Sequence, residues 1–190
     1  MAALTARGYA VAPFKLGPDF IDPVHHSRVT GRASRNLDGW MLSQDYNLKA
    51  FARHTVDADI AVVEGVMGLF DGYDGRSGAG STAQMAKWLG LPVVLVVGAR
   101  AMARSAAALV QGFERFDPGV EFAGVLFNHL GSDRHLGYLK EAMDDPVRMP
   151  VLGGLMLDEA IAIPERHLGL MTRDDHDLSD VNRGRLAGLI

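Results

Sequence analysis

The chain has 190 residues, enough for one domain with a sizeable core, and its 48% hydrophobic and 22% charged residues are the balance of a soluble globular protein. A net charge of −4 excludes the electrostatic footprint of a nucleic-acid binder, and no polybasic run or ~18-residue apolar stretch suits a membrane. Cysteine is absent, which removes disulfides, thiolate metal sites and a cysteine nucleophile together and fits a reducing cytoplasm; no secretory leader is legible.

Residues 2–7 are good helix formers, and Gly8 stops them as a C-terminal glycine does. A short strand is predicted over 9–14. From 20 to 40 the pattern is irregular and polar, with Pro23, Gly31 and Gly39, and reads as a long functional loop. Ser43 can cap a helix reaching about His54. A buried strand over 60–63 ends at Glu64 and Gly65. A glycine-rich loop then runs to Gly80, and Ser81 opens a helix through Met85 and Leu89. The run 92–97 is the clearest strand and is apolar on both faces. A helix over 104–116, a strand over 122–127, a helix over 133–143 and a strand over 151–155 complete the order. A weak helix near 179–189 follows. This alternation predicts an α/β fold, a parallel sheet with helices on both faces.

In such sheets ligands bind beyond the carboxyl ends of the strands, so the residues that follow each apolar run carry the chemistry. They are Lys15, Asp19 and Asp22 after the first strand, Glu64 to Asp71 after the second, and Asn128 after the fourth. Carboxylates hold a hard cation and lysine meets phosphate oxygens, so the mixture suits magnesium and phosphate. Glu64 directly follows four apolar residues, a poor place for a plain surface charge, and reads as a magnesium ligand ahead of a strand-end cap. Ser81 sits at a helix start, where free N–H groups favour an anion, although taken alone it reads first as an ordinary N-cap. Asp38 alone would be a turn aspartate, and Asn128 suits either a base edge or turn chemistry. His25 and His26 are adjacent and would point different ways on a regular element. His129, His135 and His167 form no zinc spacing. Arg76, Arg100 and Arg104 can grip carboxylates or stay solvated.

Several stretches together resemble one family. The run Phe14-Lys15-Leu16-Gly17-Pro18-Asp19-Phe20-Ile21-Asp22-Pro23 is similar to the signature loop of cobyrinic and hydrogenobyrinic acid a,c-diamide synthases, as are Arg35-Asn36-Leu37-Asp38 and Glu64-Gly65-Val66-Met67-Gly68-Leu69-Phe70-Asp71-Gly72. Gly80-Ser81-Thr82-Ala83, Met102-Ala103-Arg104-Ser105, Asn128 and Pro164-Glu165-Arg166-His167-Leu168-Gly169 also match, in order, over residues 1 to about 171. The resemblance implies a P-loop-type sheet like that of dethiobiotin synthetase. It implies ATP-dependent amidation of the a and c acetates of a corrin through acyl phosphates, in cobalamin biosynthesis. Ammonia would come from glutamine in a separate glutaminase domain, toward which residues 172–190 would lead. Carried over, Asp38 and Glu64 bind magnesium, Lys15 contacts the transferring phosphate, and Asp71 helps place the substrate carboxylate. Asp19, Asp22 and Ser81 line the same site, and Asn128 reads adenine. A homodimer is compatible with this reading.

No Gly-x-x-x-x-Gly-Lys-[Ser/Thr] loop occurs in the chain, nor does the strand that carries it in the family. The expectation is therefore a fragment with unpaired sheet edges that alone binds ATP very weakly and turns over nothing. Other readings remain open at this point. One is a related synthetase acting on nickel-sirohydrochlorin, cobyric acid or a dethiobiotin precursor. Another is a non-catalytic remnant or MinD-like scaffold.

Overall fold

The computed structural model describes residues 1–158, with 184, 185, 187 and 188. The motif at 164–169, the boundary near 171 and most of the weak helix at 179–189 lie outside the described residues. Residues 1–89 and 90–158 form two compact units.

The first unit runs α1 (Ala2–Ala6), β1 (Val11–Leu16), α2 (Asp22–Thr30), β2 (Arg35–Leu37), α3 (Gln44–Thr55), β3 (Ile60–Glu64) and α4 (Thr82–Leu89). Its three strands lie in the order β2-β1-β3, and both pairings are parallel. Strand alternation sends Ala12, Phe14 and Leu16 to one face, where they bury with Leu37 and Met85. Ala50 and Phe51 of α3 and Trp88 and Leu89 of α4 close that core, with the Phe14 and Phe51 rings 5.1 Å apart. The opposite parity includes Lys15, and there α2 packs against β1.

The 20–40 stretch is thus not a loop throughout: it contains α2 and β2. Pro23 sits in the first turn of α2, and Gly31 ends the helix in the left-handed region at φ 69°. The face of α2 toward β1 carries Asp22 and His26, which contact Lys15 and Glu64. Polar residues on the inward face erase the apolar period by which a helix is recognised.

The second unit runs β4 (Val93–Gly98), α5 (Arg104–Phe116), β5 (Phe122–Leu130), α6 (Asp133–Met143) and β6 (Val151–Met156). Its strands follow the order β4-β5-β6, again all parallel. Leu95, Val97, Val125, Phe127 and Leu130 are buried, as are Ala106, Ala107 and Val110 of α5 and Leu139 and Met143 of α6. Val94 and Val96, of the other parity, are exposed among the described residues. β5 runs three residues beyond the predicted strand, so Asn128 lies inside it rather than after it. No helix among the described residues is long and apolar enough to cross a membrane.

Candidate functional site

Lys15 is the next-to-last residue of β1, and the parallel register sets it between Asn36 of β2 and Glu64 of β3. Registered neighbours share a face, so three polar side chains form a row at the carboxyl rim. Lys15 is only 4% exposed, and a buried ammonium needs partners. Its Nζ lies 2.8 Å from Asp22 Oδ2, 3.4 Å from Glu64 Oε1 and 4.0 Å from Asp19 Oδ2, and donates to the Gly65 carbonyl at 3.1 Å. Burial works to lower the Lys15 pKa, but the hydrogen bond with Asp22 and the charge of Glu64 outweigh it and hold it above the ordinary lysine value.

Glu64 is half-exposed and is gripped from both sides. Oε1 faces Lys15 and Oε2 meets His26 Nε2, whose ring places Nδ1 3.3 Å from Ser34 Oγ. An ionised carboxylate only accepts, so Nε2 carries the proton. Burial pushes the Glu64 carboxyl up, while the hydrogen bond from His26 and the Lys15 charge pull it below its ordinary value.

Asp19 and Asn36 shape the loop that returns the chain to α2. Asp19 Oδ1 accepts from the Ile21 amide at 2.7 Å, and Asn36 Nδ2 donates to the carbonyls of Gly17 and Asp19. Gly17 adopts φ 77° there, a left-handed turn that suits glycine.

Asp38 follows the last residue of β2, and Glu64 ends β3, so the two stand on the same rim of one parallel sheet. Asp38 is nearly buried. Its Oδ1 accepts from the amides of Trp40 and Met41, both at 2.7 Å, and Oδ2 has no hydrogen-bond partner among the described residues. Asn47, fully buried on α3, accepts from the Asp38 amide at 3.0 Å and donates to the Asp38 carbonyl at 2.9 Å. A pocket of about 470 Å³ opens beside Asp38 and Ser81.

The glycine-rich loop closes over this pocket. Asp71 folds back so that Oδ2 accepts from the Gly68 amide at 3.0 Å. Ser81 is fully buried and caps α4: its hydroxyl donates to Gly78 O at 2.7 Å and accepts from the Gln84 amide at 3.1 Å. Gly65 stands so close to Thr82 that an added Cβ would come within 2.9 Å of its side chain, which seats β3 against the start of α4. In the second unit, Asn128 accepts from the His129 amide at 2.8 Å. Beyond the strand ends there, Arg100, His129, Arg134 and His135 line a cavity of about 500 Å³.

Lys15, Asp19, Asp22 and Glu64, singled out in the sequence, come together in one cluster. Asp38 and Ser81 line the adjacent pocket, and Asp71 and Asn128 make local backbone contacts. Asn47 escaped the sequence reading, and His26 was read only as one of two adjacent histidines, without its partner Glu64. The i, i+4 spacing of Asp22 and His26 would have put both on one face once α2 was recognised as a helix.

The donor chemistry fits a magnesium ion held sparingly. Among the described residues no group of three or more histidines and carboxylates is arranged as a cage. Magnesium keeps several waters and takes one or two protein carboxylates beside phosphate oxygens. Asp38 offers one unengaged oxygen of that kind, whereas both oxygens of Glu64 are engaged, by Lys15 and by His26.

The chain is 49% identical over 189 residues to the cobyrinate a,c-diamide synthase of Syntrophotalea carbinolica, covering 100% of this chain and 41% of that protein. It is 52% identical over 171 residues to the hydrogenobyrinate a,c-diamide synthase of Streptomyces coelicolor, covering 90% and 35%. Against the cobyrinate a,c-diamide synthase of Methanosarcina acetivorans the figures are 49% over 175 residues, 90% and 35%. The chain therefore spans well under half the length of these relatives. Residues 1–170 match the family model of the CobQ/CobB/MinD/ParA nucleotide binding domain, CbiA, and the chain belongs to that family.

Proposed function

We propose that this chain forms the ATP-using part of an enzyme that amidates the a and c acetate carboxylates of cobyrinate or hydrogenobyrinate, in cobalamin biosynthesis. The observation that carries the reading is a buried lysine ringed by Asp22, Glu64 and Asp19 at the carboxyl rim of a parallel sheet, with Asp38 beyond the adjacent strand. A carboxylate is a poor electrophile. Its oxygen attacks the terminal phosphorus of ATP, the bond to ADP breaks, and an acyl phosphate results. Ammonia derived from glutamine then attacks the acyl carbon, phosphate leaves, and the nitrogen loses a proton to give the amide.

Each residue has a part in this scheme. Lys15 offsets the negative charge gathered when a carboxylate meets a triphosphate. Asp38 and Glu64 hold the magnesium, which supplies charge neutralisation at the phosphates. Asp19, Asp22, Ser81 and Asp71 line the place of the substrate carboxylate.

A chimera tests the reading. Residues 1–170 of this chain replace the matching stretch of the Syntrophotalea carbinolica protein. The folded chimera is expected to convert cobyrinate to its diamide with ATP and ammonium, followed by mass spectrometry. Glu64→Gln in the chimera should lower turnover by about a hundred-fold, the scale of a lost charge-stabilising group. A folded chimera that leaves cobyrinate unchanged, while the parent protein amidates it, sinks the proposal.

A further inference from the structure

Four large side chains that would ordinarily be buried stand exposed around the mouth of the pocket beside Asp38. Trp40, Met41 and Tyr73 are each 61% exposed and Met67 is 71% exposed, and all four line that one pocket. Single exposed apolar residues are normal, but a cluster rimmed by polar groups marks a binding surface. Trp40 and Tyr73 also stack, with ring centroids 4.1 Å apart and planes 18° from parallel. They come from different loops, one after β2 and one in the glycine-rich stretch.

The backbone beneath them is built to hold that pair in place. Asp38 Oδ1 accepts from the Trp40 amide, which fixes the start of its loop. The Tyr73 amide donates to Ala79 O at 2.9 Å, and Gly80 donates to Gln84 Oε1 at 2.8 Å. Gly80 adopts φ 77° with an added Cβ 3.6 Å from Trp40 Cβ and 3.7 Å from the Tyr73 amide. Met67 is held at φ 54°, where a side chain other than glycine costs backbone energy. Strain and exposure at one residue on a pocket rim belong to ligand sites rather than to cores.

We propose that Trp40 and Tyr73, flanked by Met41 and Met67, form the platform on which the conjugated macrocycle of the substrate rests, an inference that rests on the function proposed above. In the cluster around Lys15 only the ammonium can meet the charge of an acid arm, and nothing there meets the ring. A broad, stiff ring gains from an outer aromatic face of the stack, held in position by its partner, and from polarisable thioethers that adapt to its outline. The pocket of about 470 Å³ is too small to enclose such a ring, so the ring lies across the mouth.

The experiment is equilibrium binding of cobyrinate to the 190-residue chain, read by quenching of tryptophan fluorescence and by the visible absorbance of the ring. The same titration follows for Trp40→Leu, Trp40→Phe and Tyr73→Leu. Wild type should bind. Trp40→Leu and Tyr73→Leu should each weaken binding by about ten-fold or more, the scale of one lost aromatic contact, and Trp40→Phe should recover most of it. Thermal melts by circular dichroism check that the variants remain folded, which their exposed positions favour. Wild-type affinity in both leucine variants overturns the platform and leaves the ligase reading standing. No binding of cobyrinate by wild type overturns the platform, and the chimera decides the ligase reading separately.

Discussion

A lysine held at 4% exposure survives in a fold only if its charge is answered, and Lys15 is answered by Asp22, Glu64 and the Gly65 carbonyl. The same contacts fix how stability at this site depends on pH. The Lys15 pKa is raised above its ordinary value of 10.5, so the contribution is full below 10.5 and is lost as pH climbs through the higher folded value. The Glu64 pKa is lowered beneath its ordinary 4.5, so its contribution is full above 4.5 and is lost as pH falls through the lower folded value. Both are present between 4.5 and 10.5. The carboxylates are partly solvated, and screening keeps the cluster's worth near about 1 kcal/mol. Urea unfolding midpoints for wild type and Lys15→Met should therefore differ by a constant amount across that window and converge on its alkaline side. A gap that persists unchanged at the highest pH would mean that Lys15 acts through packing of its stem alone.

Between elements, the most consequential link is Asn47, which ties α3 to the residue after β2. Its side chain engages both the amide and the carbonyl of Asp38 and also donates to Ser43 O at 2.9 Å. Asn47→Ala strands a buried amide and carbonyl and should cost about 2 kcal/mol in denaturant titrations. In the chimera it should lower the rate further than Ala50→Gly tuned to the same loss of stability, because it also frees Asp38. Equal rates in two equally destabilised variants would count against a positioning role. Nothing in the periodicity of α3 announces this contact, since an asparagine on a helix reads as surface. By contrast the bounds of α5 and α6 were legible in full, α5 from its alanine-rich apolar pattern and α6 as the helix predicted over 133–143. α2 was illegible because its inward face is polar and its partner Glu64 is 38 residues away. Lys15 and Glu64 were readable from their position at strand ends. His26 was not, because its meaning lies in a contact that sequence spacing does not encode.

At the scale of the whole molecule, each unit closes a core of its own: Phe14, Leu37 and Met85 in the first, Val125, Phe127 and Leu139 in the second. Both tryptophans, Trp40 and Trp88, fall in residues 1–89, so tryptophan fluorescence reports only the first unit, whereas far-ultraviolet circular dichroism sees helices of both. That asymmetry separates their stabilities. Leu139 is 0% exposed, and Leu139→Ala removes a core side chain at a cost of about 2–5 kcal/mol to the second unit. If each core carries its own unit, the circular dichroism transition of Leu139→Ala should gain an early component at low urea while the fluorescence midpoint stays where it is in wild type. Phe14→Ala should do the reverse, moving the fluorescence midpoint and leaving a late component in the dichroism. Coincident shifts of both probes in both variants would make the chain a single cooperative unit. Fluorescence unchanged in Leu139→Ala would further mean that the Lys15 cluster and the Trp40–Tyr73 stack, which lie wholly in the first unit, keep their geometry on local contacts alone.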